Sequence, residues 1–339
     1  MTYALIGMRT ISGVYHHGIL PVVAFAIGWL IAEGSSDKQI RDGILALAAG
    51  FGTYATLNML VNIGNNRYRL IDFWTGTYRA ATGSGALNTL PISVTPYAVK
   101  FEKRLPVKIM FLALFFATIQ YMFMLGTRTQ FAILLLIVIL AALQFAYSEH
   151  GIAGILKCLG IMVVISLIAF LFYHFNVLSI RDYILSTNLA ARYERRASLE
   201  NSDSFRFQSF WIGLRELIQY PMGGRASQIY RHNMWLDVGR VSGIIPFCLL
   251  LIYSIKNFAN VTVIWKNPKI LPSLRYLLLF LYIGAYVNCF VEPIWEGALN
   301  FFLALCVVDG MVSAMMRRLE NDPNSEESVP DASNLHADL

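Results

Sequence analysis

The chain has 339 residues, of which 56% are hydrophobic and 14% charged, with a mean hydropathy of +0.54 and a formal net charge of +6. Soluble globular domains carry about 25% charged residues, and the apolar residues here gather into runs close to the ~20 that cross a ~30 Å hydrocarbon core. These features exclude an ordinary soluble domain, and the basic residues do not form the soluble, aromatic-studded surface that nucleic-acid binding needs.

In chain order, Met1–Arg9 lacks the basic, apolar, then small-residue succession of a signal peptide. Membrane spans are predicted at about residues 14–33, 43–63, 84–100, 106–125, 131–147, 152–174, 241–257, 273–293 and 297–316. The third contains Asn88, Thr89, Pro91, Ser93, Thr95 and Pro96, and reads as a broken or re-entrant helix, tolerated only where protein or water covers it. Gly126-Thr127-Arg128-Thr129 forms a tight turn between two spans. Residues 1–318 thus form an all-α polytopic membrane domain of about nine spans, with 8–10 allowed. Residues 319–339, polar and acidic with Pro and Ser, read as a disordered cytoplasmic tail. Cys158, Cys248, Cys289 and Cys306 have no CxxC spacing and read as small buried residues; no metal or other cofactor is expected.

Lysine and arginine set the orientation. Lys100, Lys103, Arg104, Lys108, Lys157, Lys256, Lys266, Lys269, Arg275, Arg317 and Arg318 are expected on the cytoplasmic side. Nine spans place all eight lysines there. They also place the amino terminus outside, which suggests that upstream spans are missing from the sequence. Eight spans, with 84–100 not crossing, put the amino terminus inside but move Lys38 outside.

The connection 175–240 is then a large periplasmic loop. It holds nine arginines, six acids and no lysine, so pairing within the loop cannot account for every arginine. Arginine's planar fork grips phosphate or carboxylate with two hydrogen bonds. Two readings stand side by side: binding of phosphate or an acidic sugar, or a solvated face against lipid headgroups. Within the loop, Asn201-Ser202-Asp203-Ser204 supplies capping side chains. Phe205 to Tyr220 follows as an amphipathic helix with Phe210, Leu214, Leu217 and Ile218 on one side, stopped by Pro221-Met222-Gly223-Gly224. It is expected on the membrane surface or capping the bundle. Arg206 in its first turn could meet a diphosphate together with free backbone N–H groups, or act as a snorkelling anchor. His232 lies at the water–lipid boundary beside arginines that favour its neutral form. There it could take a proton from a hydroxyl, or serve as an interfacial hydrogen-bonding histidine. Asn233, Asp237 and Arg240 share one helical face.

Arg206-Phe207 … Trp211, Pro221-Met222-Gly223-Gly224 and His232-Asn233-Met234-Trp235-Leu236-Asp237 … Gly243-Ile244-Ile245-Pro246 together resemble the signature of the O-antigen polymerase and O-antigen ligase superfamily. Gly126-Thr127-Arg128-Thr129-Gln130-Phe131 resembles that family's arginine turn. The resemblance covers roughly residues 75–316. It departs from the commonest pattern at Thr127, where a serine often precedes the arginine, and in the shortened Pro-Met-Gly-Gly segment. Family members usually have more spans before the arginine turn.

The resemblance implies a metal-independent membrane glycosyltransferase with a GT-C-like bundle, working at the outer face of the bacterial inner membrane. Its substrates would be undecaprenyl-diphosphate-linked oligosaccharides, and its partners membrane lipids, a chain-length regulator and a flippase. Arg128 and Arg206 would stabilise the leaving diphosphate and His232 would deprotonate or orient the acceptor hydroxyl. Asn233 would position the acceptor or hold the loop, and Gly223 and Gly224 would let backbone approach substrate. Arg79 joins the same anionic site, and Arg231, Asp237 and Arg240 complete the substrate-binding set. Polymerase is expected ahead of ligase, which would transfer the finished chain to lipid A–core. A lipid-linked sugar transporter and a non-catalytic assembly partner stand behind both. A transporter usually needs charge near the membrane midplane. Asp309 is the only acid well inside a span, Glu292 and Glu296 sitting near an end. Asp309 is expected to bond a neighbouring helix or to reach Arg317 or Arg318.

Overall fold

A computed structural model describes residues 15–63, 69–191, 194, 202–227 and 229–321, without the side chains of residues 69, 79–82 and 202–206. The predicted tail beyond residue 321 and the region Met1–Arg9 lie outside the described residues. A π-helical turn Tyr15–Ile19 enters α1 (Leu20–Glu33), followed by α2 (Asp37–Val61). A short antiparallel hairpin, β1 (Arg69–Ile71) and β2 (Tyr78–Ala80), pairs Leu70 with Arg79. Then come α3 (Ala81–Ala86), α4 (Thr89–Phe101), α5 (Leu105–Leu125), α6 (Arg128–His174) and α7 (Ile180–Ser186). The chain continues with α8 (Ser202–Gln219), α9 (Met234–Ser242), α10 (Ile244–Lys266), α11 (Pro272–Val291), α12 (Ile294–Gly297) and α13 (Leu299–Glu320).

Among the described residues, seven helices are long and apolar enough to cross a membrane: Tyr15–Glu33, α2, α5, α6, α10, α11 and α13. The protein is an all-α polytopic membrane protein with a small hairpin attached. Two features account for the difference from nine predicted spans. Residues 84–100 split into α3 and α4, and the 13 residues of α4 rise only about 20 Å, less than the ~30 Å core. As the broken-helix reading requires, residues 83–95 are buried by protein, with Pro96 inside α4. The segments 131–147 and 152–174 are the two arms of α6, which bends at Gly151 (φ 58°, ψ −143°). The bend folds Gly154 against the Ala146 carbonyl. The seventh span starts later than predicted and runs to Lys266, because Gly243 (φ 94°, ψ −176°) separates α9 from α10.

The core joins α11 to α13, α2 and α4 through residues such as Leu277, Leu281, Val308, Ile44 and Leu90. In lipid, close packing replaces the hydrophobic drive between helices, so small residues let backbones meet. Gly28 of α1 abuts the Val307 carbonyl of α13, and Gly310 of α13 abuts the Phe25 carbonyl of α1. Asp309 is fully buried and accepts the Tyr282 hydroxyl at 2.5 Å and the Tyr253 hydroxyl at 2.8 Å, which makes it an interhelical tie. Arg317 and Arg318 turn instead to Glu33 and Asp37. Cys289 and Cys306 are buried as expected, whereas Cys248 faces outward from α10.

The two ends of the bundle differ in charge. One end gathers the joints α1–α2, α4–α5, the Gly151 bend, α10–α11 and the end of α13. There Arg104 bridges Glu102 and Asp42, Lys100 pairs with Glu149, and the arginines of α13 meet Glu33 and Asp37. The hydrogen-bonded Arg104 guanidinium holds the Glu102 carboxyl down at about 2. The opposite end carries the hairpin, the Gly126 turn, α8, α9 and α12. Asn62, the residue that caps the end of α2, brackets Ile71, donating to its carbonyl at 2.8 Å and accepting its N–H at 3.0 Å, which docks the hairpin there.

Candidate functional site

The long connection folds back over the hairpin end. α7 lies against α5 through the Tyr183 hydroxyl, which donates to Gln120 at 2.6 Å. α8 packs on α9, with Gly213 against Leu236 and Gly239 against Leu217. Of the four residues predicted for the apolar face of α8, Leu217 is buried and Phe210 and Leu214 are partly buried, but Ile218 is 78% exposed. The packed face is set by Ser209, Gly213, Glu216 and Leu217, because Gly213 allows close approach and Glu216 is drawn into an ion pair. Phe207, Trp211 and Ile218 form a second apolar stripe that faces outward, as an interfacial helix requires.

Three arginines of the connection are committed to internal partners. The Arg231 guanidinium donates to both Glu216 oxygens, from Nη2 at 2.7 and 2.8 Å and from Nε at 3.1 Å, with Arg225 also 3.4 Å from Glu216. Arg225 lies over the Tyr220 ring. Arg240, almost wholly buried, pairs with Glu296, lies 3.7 Å from Asp237 and donates to the Arg225 carbonyl. Asp237 accepts the Arg231 N–H at 2.6 Å. Burial pushes the Asp237 carboxyl up to about 6, against the pull of that N–H and of Arg240. Burial also lowers the Arg240 guanidinium from its usual range. Of the predicted substrate-binding residues, Arg231, Asp237 and Arg240 are therefore part of the frame that fixes α8 on α9. Two of their acids, Glu216 and Asp237, come from the connection, and Glu296 comes from α12.

The predicted glycines also have a packing reason. Gly223 (φ 71°) and Gly224 (φ 82°) take the left-handed conformation that glycine adopts freely. The space a Cβ of Gly223 would occupy is filled by the Val241 carbonyl and the Gly243 amide. The Gly224 N–H donates to Val241 at 2.9 Å. The turn thus rests on the end of α9, and at Gly223 the close approach is to protein backbone rather than to an open ligand space.

Beside this frame opens a cavity of about 410 Å³ lined by Phe207, Phe210, Arg231, His232, Asn233, Phe290 and Val291. Asn233 caps α9, accepting the Leu236 N–H at 3.0 Å, and donates from Nδ2 to the Phe290 carbonyl at 3.1 Å. It holds the loop. His232 sits just before that cap with φ 55°, a conformation rare outside glycine and one met at functional sites. Its ring meets the edge of Tyr230 at 4.7 Å. Its Nδ1 is 4.0 Å from Oε2 of Glu292, at the end of α11. The other oxygen, Oε1, accepts the Thr129 hydroxyl. The Glu292 carboxylate thereby lies between the arginine turn, which it hydrogen-bonds through Thr129, and His232, about 100 positions further along the chain. Arg128 is partly buried, and its Nη1 is buried with no hydrogen-bond partner among the described residues.

The side chains of Arg79 and Arg206 lie outside the described residues, as do Arg192, Arg195 and Arg196. The backbone of Arg79 is in β2, and Arg206 precedes Phe207 of the cavity wall. Glu292 is the residue that reading the sequence missed as part of this site. An acid at the end of a span beside Pro293 is visible in the chain, but its pairing with His232 is a tertiary fact. A second cavity, of about 340 Å³ and almost wholly apolar, opens between α1, α10 and α13 and includes Trp295 and Phe302.

No protein-family model matches this chain, and no characterised protein sequence matches it.

Proposed function

We propose that this protein is a polysaccharide polymerase of the O-antigen type. It would transfer a growing glycan from undecaprenyl diphosphate to the next lipid-linked repeat unit. The observation that carries the reading is an aromatic-walled cavity lined by His232, whose Nδ1 lies 4.0 Å from Glu292, a residue tied by Thr129 to the Arg128 turn. Its size falls in the range of small-ligand sites, and aromatic walls suit the apolar faces of sugar rings. The acceptor hydroxyl loses its proton to His232 as its oxygen bonds the anomeric carbon of the donor glycan. The bond from that carbon to the diphosphate oxygen breaks, and undecaprenyl diphosphate leaves with the electron pair. Arg128, whose buried Nη1 has no hydrogen-bond partner among the described residues, stabilises the charge that develops on the diphosphate. Arg206 is the second donor in this reading. The apolar cleft beside Trp295 offers a lateral surface for the polyprenyl tail.

In this reading the chain makes nine crossings of a bacterial inner membrane. α3 and α4 together carry the chain from the hairpin to Lys100, and the arms of α6 supply two passes on either side of Gly151. The basic end is cytoplasmic by the positive-inside bias, so the cavity faces the periplasm under the large loop. Lipopolysaccharide gels from cells lacking the gene test the activity. Loss of a polymerase leaves core bearing a single repeat, whereas bare core would assign the protein as a ligase.

A further inference from the structure

We propose that Glu292 is the positioning residue for His232: its carboxylate holds the imidazole in the tautomer whose Nε2 takes the acceptor's proton. The inference rests on the reading of His232 as the group that accepts that proton. A neutral imidazole carries its proton on one nitrogen only, and the group facing the other nitrogen decides which. Here Oε2 of Glu292 faces Nδ1 at 4.0 Å, so a proton held on Nδ1 makes Nε2 the basic nitrogen of the ring. That separation is longer than a hydrogen bond, and catalytic contacts are often long before substrate binds and tighten in the complex.

Three observations show that the pair is built rather than adventitious. Glu292 is only 4% exposed, so an ionised carboxylate there needs partners. The Thr129 hydroxyl occupies Oε1 and orients Oε2 toward the histidine. Asn233 then fixes the spacing, because its bond to the Phe290 carbonyl ties the residue after His232 to the last turn of α11, which Glu292 follows. The proton taken from the acceptor hydroxyl rests on Nε2 while Glu292 stabilises the resulting imidazolium. It is then released to the departing diphosphate or to solvent.

The test uses the full-length protein in lipid nanodiscs with lipid-linked repeat units. Glu292→Gln keeps the side-chain size and can still accept from Thr129, but presents an N–H to Nδ1 and favours the opposite tautomer. It is expected to lower kcat about 10²–10⁴-fold, with KM and the detergent unfolding midpoint near wild type. In a His232→Ala background it should cost nothing further, since the two residues act as one unit. ¹⁵N-histidine spectra, with the His232 signals assigned by their loss in His232→Ala, should show the Nδ1–H form in wild type and the Nε2–H form in Glu292→Gln. Full kcat in Glu292→Gln, an additional loss in the double variant, or an unchanged tautomer overturns the proposal. If His232→Ala alone keeps full activity, the underlying reading of His232 fails, and that result is distinct from a failure of Glu292 alone.

Discussion

Replacing Arg231 by methionine separates framework from substrate binding. In the structure its guanidinium makes three hydrogen bonds to Glu216, and both side chains are only 9% exposed. Removing one partner of such a pair strands a buried charge and costs about 3–5 kcal/mol. Arg225, 3.4 Å from Glu216, remains to share that charge, so the lower end, about 3 kcal/mol, is expected. Replacing both residues, as Arg231→Met with Glu216→Leu, strands neither member of the buried pair, and Arg225, 23% exposed, keeps its place over the Tyr220 ring. Buried pairs exchanged for apolar side chains are often neutral or better, so the double variant should lie within about 1 kcal/mol of wild type. Unfolding by sodium dodecyl sulfate in mixed micelles, followed by tryptophan fluorescence, measures all four corners of the cycle. The double variant should also keep polymer synthesis. Additive losses of stability, or a stable double variant without activity, would refute the assignment of Arg231 to the frame.

The other expectations concern Asp237 and the contact between α1 and α13. The folded Asp237 carboxyl, at about 6, binds its proton more tightly than the unfolded one, at 3.8. Its contribution therefore favours folding at acid pH and is lost as pH rises through 6. The difference is worth about 3 kcal/mol at 1.36 kcal/mol per pH unit. Asp237→Asn, neutral at every pH like the protonated carboxyl, should remove that part of the pH dependence, so that its unfolding midpoint lies closest to wild type at pH 4.5 and exceeds it most at pH 7.5; parallel curves would count against it. Gly310→Val places side-chain atoms on the Phe25 carbonyl and should cost at least the ~1–3 kcal/mol typical of overpacking. The same change at Gly50, where a Cβ meets nothing within 4 Å, is the control. Equal midpoints for the two variants would contradict the close contact of α1 and α13.

Much of the helical framework could be read from the chain because lipid imposes a simple rule: a long apolar run becomes a helix. Proline and polar residues in 84–100 marked the broken element, and the structure covers it with protein as that requires. The hairpin at 69–80 was not legible, because three-residue strands leave little pattern and their support comes from Asn58 of α2 and from Asn62 at its cap. The later start of α10 depends on Gly243, whose conformation is set by contact with the Pro221 carbonyl. At the site, His232 and Arg128 stand out as polar groups at span ends. The arginine count of the connection left its pairing open, because Glu296 comes from a different segment and takes Arg240. Glu292 carried no local signal of its partnership with His232.

The central claim is tested most directly by one assay: purified protein in nanodiscs, undecaprenyl-diphosphate-linked repeat units, and EDTA, with products separated on a gel. The account predicts a ladder of lengthening chains from wild type without added metal. It predicts no ladder from His232→Ala or Arg128→Ala at equal protein level. A full ladder from both variants, or no chain extension by wild type, would contradict it.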